Sequence, residues 1–376
     1  MEKYFKNRIA NLKKELQLRD LNNLIILKDE NIYYLTGFYG KDSGSILIFI
    51  NEDIYLLVHF IYFEQAKKTV IPENIKIIQY LSGKYKKLAE IIKDYNLRNI
   101  VVEGQNISYN SFQNLQDILS LKNKEKTSKK IKLLSVLGIV ENLRMIKDEF
   151  ELSNLEKACS ITDRVFSQVS KLKLTKLKSF TEIELAYKIE IRTVKYGSEG
   201  KSFDYVIASN NSSALPHYKA SNKKITDGIL LMDIGCKFSH YCSDMTRTVF
   251  CGGKNDDKLV KIYDIVLQAQ IKALEACKEG VSCRELDSVA RNFIESKGFG
   301  KNFGHGLGHG VGLEIHEIPR VSYTDDTILK ENMVITIEPA IYIENYGGVR
   351  IEDMVLVKKN GFKNFYSSKK LLTMIS

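Results

Sequence analysis

Residues 303–317 read FGHGLGHGVGLEIHE, setting His305, His309 and His316 among five glycines in a chain with only six histidines. Glycine at every second position is costly in a helix and weak in an ordinary strand. Zinc proteases of the His-Glu-x-x-His type carry their ligands on a helix, with Glu as base; here Gly306 follows His305, so that chemistry does not apply. The glycines also miss the G-x-G-x-x-G spacing of a dinucleotide loop. Such a segment is suited to threading close past a crowded centre, because it lacks Cβ atoms.

The acids that would crowd such a centre come in pairs. Asp233 in LLMDIGC and Asp244 in YCSDMTRTV flank a turn expected at Lys237–Ser239, and folding about its midpoint sets the two acids directly opposite on antiparallel strands. Glu338 in ITIEPA and Glu352 in VRIED are symmetric about Asn345, inside the turn-like ENYGG. Opposed carboxylates repel, and apolar neighbours raise the cost of desolvating them. One such pair could be solvated or meet a Lys or Arg; two pairs at matching places call for a cation. A donor set of carboxylates with one or two imidazoles favours Mn(II), with Co(II), Fe(II) and Zn(II) tolerated. Four negative charges suit two divalent ions rather than one. Two ions bridged by carboxylates and a water or hydroxide make a nucleophile near neutral pH and polarise a carbonyl, which is hydrolase chemistry. His217 in SSALPHY precedes the first acid pair as His309 precedes the second. One histidine of the glycine-rich segment can ligate, leaving the others to hold substrate oxygens or move protons. His240 falls in the expected turn and His59 stands apart; neither is assigned a role.

The elements that must position these residues repeat. Thr181 with Glu184, and Ser282 with Glu285, fit the capping box, and each opens a helical pattern ending near a glycine, Gly197 or Gly298. Each unit then leads through a histidine-bearing segment to a strand-like run ending in an acid, Asp233 or Glu338. The predicted architecture is therefore a duplicated helix-and-hairpin unit over residues 141–376, of α+β class. Residues 1–140 alternate a helical NRIANLKKELQLRDL with short apolar runs at Leu24–Leu27, Ser45–Ile50, Ile54–Val58, Ile75–Ile78 and Asn99–Val102, the pattern of an α/β domain. A long helix over Asp148–Ser170 follows the boundary.

Composition excludes several classes. At 376 residues, 44% hydrophobic and 27% charged, the chain reads as two globular domains. No run approaches a transmembrane length and no secretory signal is read, so the cytoplasm is expected. The net charge of +10 is spread over lysine-rich stretches, KNKEKTSKKIK and KLKLTKLK, without a nucleic-acid motif. No nucleic-acid partner is expected. The six cysteines form no CxxC pair and read as buried thiols.

SSALPHY, MDIGCKFSHYCSDMTRTV, GHGLGHGVGLEIHE, TIEPAIY and GGVRIED resemble, in order and spacing, the signature blocks of the Xaa-Pro peptidases, aminopeptidase P and prolidase. NIYYLTGF and LRMIKDEFE, with the closing KKLLTMIS, extend the likeness along nearly the whole chain. The resemblance implies a creatinase/prolidase-like α/β domain followed by a pita-bread catalytic domain. It implies Asp233 on a first metal, Asp244 and Glu352 bridging two, and His309 and Glu338 on the second, with Glu338 also the general base. His217, His305 and His316 match substrate-binding and transition-state histidines, and Arg350 matches an arginine beside the metal site. The implied activity is hydrolysis of the bond preceding proline in a short peptide, by a metal-bridging hydroxide, in a homodimer. The chain departs from its relatives at His59 and Ile61, where Asp and Arg are common. A non-catalytic pita-bread module binding protein or nucleic acid is the alternative; it predicts lost ligands, and all five are present.

Overall fold

The computed structural model describes residues 1–95, 97–121, 131–252, 256–370 and 374–375. Most of KNKEKTSKKIK and part of KKLLTMIS lie outside these residues. The chain divides into two compact units, Met1–Arg144 and Met145–Ser376.

The first unit is built on a six-stranded mixed sheet, in the order Ile75–Tyr80, Asp53–His59, Ile46–Ile50, Asn23–Ile26, Asn99–Glu103, Lys132–Val136. The two central strands, NLII and ILIFI, are buried along their whole length, because they are covered on both faces. Helix Glu2–Leu18 buries Phe5, Ile9, Leu12 and Leu16, the i, i+4, i+7 stripe expected of an amphipathic helix. His59 is packed between Phe60 and Tyr80, with Nε2 3.1 Å from Leu81 O.

The second unit holds two similar halves. In the first, helices Glu149–Val169 and Glu182–Lys195 accompany a sheet ordered Met374–Ile375, Met245–Cys251, Gly228–Ile234, Val206–Ser209. In the second, helices Asp257–Ala276 and Cys283–Ser296 accompany a sheet ordered Glu317–Val321, Gly308–Gly310, Val334–Ile337, Asp353–Lys358, Gly361–Asn364. Both expected capping boxes form, at Thr181/Glu184 and Ser282/Glu285, and a third forms at Asp148/Glu151. Each satisfies two otherwise unpaired amide donors at a helix start. All six cysteines are buried and unpaired in disulfides.

One expected register is corrected. Asp233 does not face Asp244; it pairs with Thr246, and Met245 pairs with Ile234. The turn lies at Ser239–His240, both with positive φ (47° and 68°), between the paired residues Phe238 and Tyr241. A two-residue hairpin turn with both central residues left-handed matches strand twist, whereas the expected midpoint ignored that requirement. The shift is two residues, so both acids stay on the same face, diagonal rather than opposed.

Candidate metal centre

The second acid pair sits at a break in a continuous ladder. Ile337 pairs with Asp353 on one side and Ala340 with Arg350 on the other, which leaves Glu338 and Glu352 opposite each other in the same register. Their amides turn elsewhere: Glu338 N donates to Leu307 O (2.8 Å) and Glu352 N to Thr246 O (3.1 Å). The first bond ties Glu338 to the glycine-rich segment; the second ties Glu352 to the strand that follows Asp244. The break therefore lies where the two halves meet.

The glycine-rich segment approaches because it must. A Cβ on Gly308 would stand 2.0 Å from Thr336 O, and one on Gly310 2.4 Å from Ile318 O. Between them, His309 is carried into the acids. Its Nε2 lies 3.4 Å from Glu338 Oε1 and 3.6 Å from Asp244 Oδ2. Ligand atoms of Asp244, His309 and Glu352 all fall within 4.8 Å of one another. Asp233 is turned to Arg350, whose Nη2 donates to Oδ2 at 2.5 Å, while its Oδ1 is buried and accepts no hydrogen bond among the described residues.

The donor chemistry of these residues fits a divalent cation. His309 Nδ1 donates to Gly310 O (3.0 Å), so the Nε2 lone pair points at two carboxylate oxygens, acceptor against acceptors. Burial holds the imidazole neutral, pushed down to about 3. Burial, and then the charges of Glu352, Asp233 and Glu338, push the Asp244 carboxyl well up; burial followed by Glu338 and Asp233 does the same to Glu352. Burial pushes Glu338 up to about 7, with the charge of Asp233 adding and Arg350 opposing. Among the described residues, Arg350 is the one Lys or Arg hydrogen-bonded to these four carboxylates. One divalent cation or two would relieve all of these strains at once.

His217, His305 and His316 line a cleft of about 1270 Å³ with the acids. The His316 ring packs edge-on against His309 at 4.4 Å, and His217 enters from the opposite sequence repeat. Burial pushes His305 down to about 4, and its Nδ1 donates to Gly306 O at 2.7 Å. Several residues here were not found in the sequence. Tyr342 accepts from Arg350 Nη1 (2.6 Å) and reaches His305 Nε2 (3.4 Å). Thr246 Oγ1 accepts from Arg350 Nε (3.0 Å) and donates to Glu352 Oε2 (2.6 Å), and Thr336 donates to Glu338. Asp287 and Arg291, on helix Cys283–Ser296, hold the glycine-rich segment through Leu307 N, Phe303 O and His305 O. Tyr342, four residues beyond Glu338, and Thr246, two beyond Asp244, carried the available signal, since alternate strand positions share a face. Asp287 and Arg291 looked like ordinary helix positions.

Residues 153–359 match the model of metallopeptidase family M24, and residues 8–146 that of the creatinase/prolidase N-terminal domain. The chain is 39% identical to the Xaa-Pro dipeptidase of Pyrococcus furiosus over 369 residues, covering 98% of this chain and 99% of that one. Among solved structures, the Xaa-Pro dipeptidase from Bacillus anthracis superposes with a TM-score of 0.89 at 32% identity, covering 98% of this chain and 99% of that chain. The X-Pro aminopeptidase from Thermotoga maritima gives 0.83 at 33%, covering 96% and 100%. With the paired acids, the buried imidazole and the glycine-rich approach in place, the chain belongs to metallopeptidase family M24, of the branch that carries a creatinase/prolidase N-terminal domain.

Proposed function

We propose that this chain is a dinuclear metallo-exopeptidase, an Xaa-Pro dipeptidase, that hydrolyses the bond preceding proline. The observation that carries the reading is the His309 lone pair directed into buried acids. Asp233, Asp244, His309, Glu338 and Glu352 would hold two divalent cations, with Mn(II) favoured by the oxygen-rich donor set. When bound, such ions lower the pKa of water and polarise the scissile carbonyl.

The protein's own groups do the rest. Glu338 takes a proton from the attacking water and returns it to the prolyl nitrogen as the peptide bond breaks. His217, His305 and His316 face the substrate, and His316 steadies the oxygen of the tetrahedral intermediate. Arg350 orients Asp233 through its hydrogen bond to Oδ2, and Tyr342 links that arginine to His305. The dipeptidase is preferred over the aminopeptidase because Arg320 and Lys219 line the same cleft. Two cations there suit the free carboxylate of a two-residue substrate. A homodimer belongs to the proposal through the family resemblance, and a reducing cytoplasm through the six buried thiols.

The test is hydrolysis by the Mn(II)-loaded protein of Leu-Pro and Leu-Pro-Leu. Cleavage of Leu-Pro alone is expected. Cleavage of the tripeptide moves the assignment to an Xaa-Pro aminopeptidase, and silence on both, with metal bound, removes the substrate class.

A further inference from the structure

We infer that Glu182 is a positioning residue for His217, closing the loop 209–221 that carries this histidine into the cleft. The inference rests on the reading of His217 as a substrate-facing residue.

Glu182 opens helix Glu182–Lys195 and is fully buried. The capping box of that helix is made by Thr181 and Glu184, so the Glu182 carboxylate is not needed to finish the helix. It turns instead to the following loop. Its Oε1 accepts from Ser209 N (3.0 Å) and Ser209 Oγ (2.6 Å). Its Oε2 accepts from Tyr218 OH (2.8 Å), Ser221 N (3.2 Å) and Ser221 Oγ (2.9 Å). All five donors come from one stretch: its first residue, its last, and the neighbour of His217. Among the described residues, no Lys or Arg forms an ion pair with Glu182.

A buried carboxylate without a counter-cation must be satisfied by hydrogen bonds or give up its charge. Burial alone would raise its pKa, but the donors from Ser209, Tyr218 and Ser221 outweigh that and leave it below the ordinary range. The charge and the loop closure therefore need each other: the carboxylate stays ionised while the loop is closed, and the loop stays closed while five donors find an acceptor. His217 sits between Pro216 and Tyr218. Tyr218 is anchored by Glu182, and Pro216 O receives only a long bond from Arg350 Nη1 (3.5 Å). His217 lies within the turn closed by Tyr218 N donating to Leu215 O (3.1 Å), and the clamp fixes the Tyr218 end of that turn.

The experiment compares wild type, Glu182→Gln, His217→Ala and the double variant as metal-loaded full chains. Two readouts are taken: Leu-Pro kinetics on the Mn(II)-loaded chains, and the ring signals of the six histidines by NMR on the same chains loaded instead with diamagnetic Zn(II). In Glu182→Gln an amide donor meets donors, so the His217 signal is expected to move or broaden while the other five hold. kcat/KM is expected to fall about ten-fold or more, chiefly through KM, and by less than about two-fold when His217 is already Ala. An unchanged His217 signal, or the same fold-loss with and without His217, overturns the inference. Should Glu182→Gln not fold, Tyr218→Phe removes one donor of the five and is held to the same criteria at about a three-fold loss. If wild type leaves Leu-Pro intact, the dipeptidase reading fails, while the His217 signal still decides the clamp.

Discussion

Asp244 is buried among like charges, and its carboxyl is pushed up by burial and then by Glu352, Asp233 and Glu338. Replacing it removes a source of repulsion in the metal-free protein and a donor in the loaded one. Asp244→Ala is therefore expected to melt no lower than wild type without metal, to lose the rise in Tm with Mn(II), and to show no hydrolysis; retained turnover would sink the site assignment. His316 differs from its neighbour His309, which alone of the two faces the carboxylates at 3.4 and 3.6 Å. His316→Ala should lower kcat/KM by about ten-fold or more while metal content holds, whereas His309→Ala should lose metal. Equal loss of both in His316→Ala, read by elemental analysis beside kinetics, would make His316 a ligand.

At the scale of elements, the glycines of 304–312 are not equivalent. A Cβ at Gly308 meets the Thr336 backbone oxygen, while one at Gly304 meets nothing within 4 Å. Gly308→Ala is expected to cost about 1–3 kcal/mol and to displace His309, with Gly304→Ala within about 0.5 kcal/mol of wild type. Denaturant melts of the pair check this, and equal losses would show that close approach is not why the segment is glycine-rich. In the first unit, Glu103 accepts from Leu27 N, Lys28 N and Asn31, and Asn31 in turn accepts from Arg144. Burial pushes the Glu103 carboxyl from 4.5 up to about 7. A raised folded pKa means that the native state binds more protons than the unfolded chain between those values. This contribution to stability is complete below about 4.5 and is lost as pH rises through about 7. Relative to Glu103→Gln, wild type should lose up to about 3 kcal/mol across that window, measured by urea melts at several pH values. A flat difference would mean that Glu103 titrates normally.

For the whole molecule, the bound cations and the fold are linked. Four acids drawn from both halves of the second unit converge on one place, so removing metal should loosen the junction of the halves rather than a single loop. Chelation is expected to abolish hydrolysis and lower Tm. At free Mn(II) one hundred times Kd, each site restores about 2.7 kcal/mol. A Tm indifferent to chelator and to added Mn(II) would mean that the acids tolerate their own repulsion. No helix among the described residues is long and apolar enough to cross a membrane.

Local chemistry made much of this legible from sequence alone. The capping boxes at Thr181 and Ser282, the apolar strands of the first unit, the repeat, and the Glu338/Glu352 register about Asn345 are each specified by residues near one another in the chain. The acids and histidines stood out because their types are costly where apolar and glycine-rich patterns place them. Tertiary structure decided what depends on distant partners. The Asp233 register shifted by two because left-handed Ser239 and His240 make the turn, with the His240 amide held by Glu199. Tyr342, Thr246, Asp287 and Glu182 gained their places only when strands and loops far apart in sequence met. A hydrogen bond has no periodicity to read, and an Asp on a helix face looks the same whether it meets water or holds a loop.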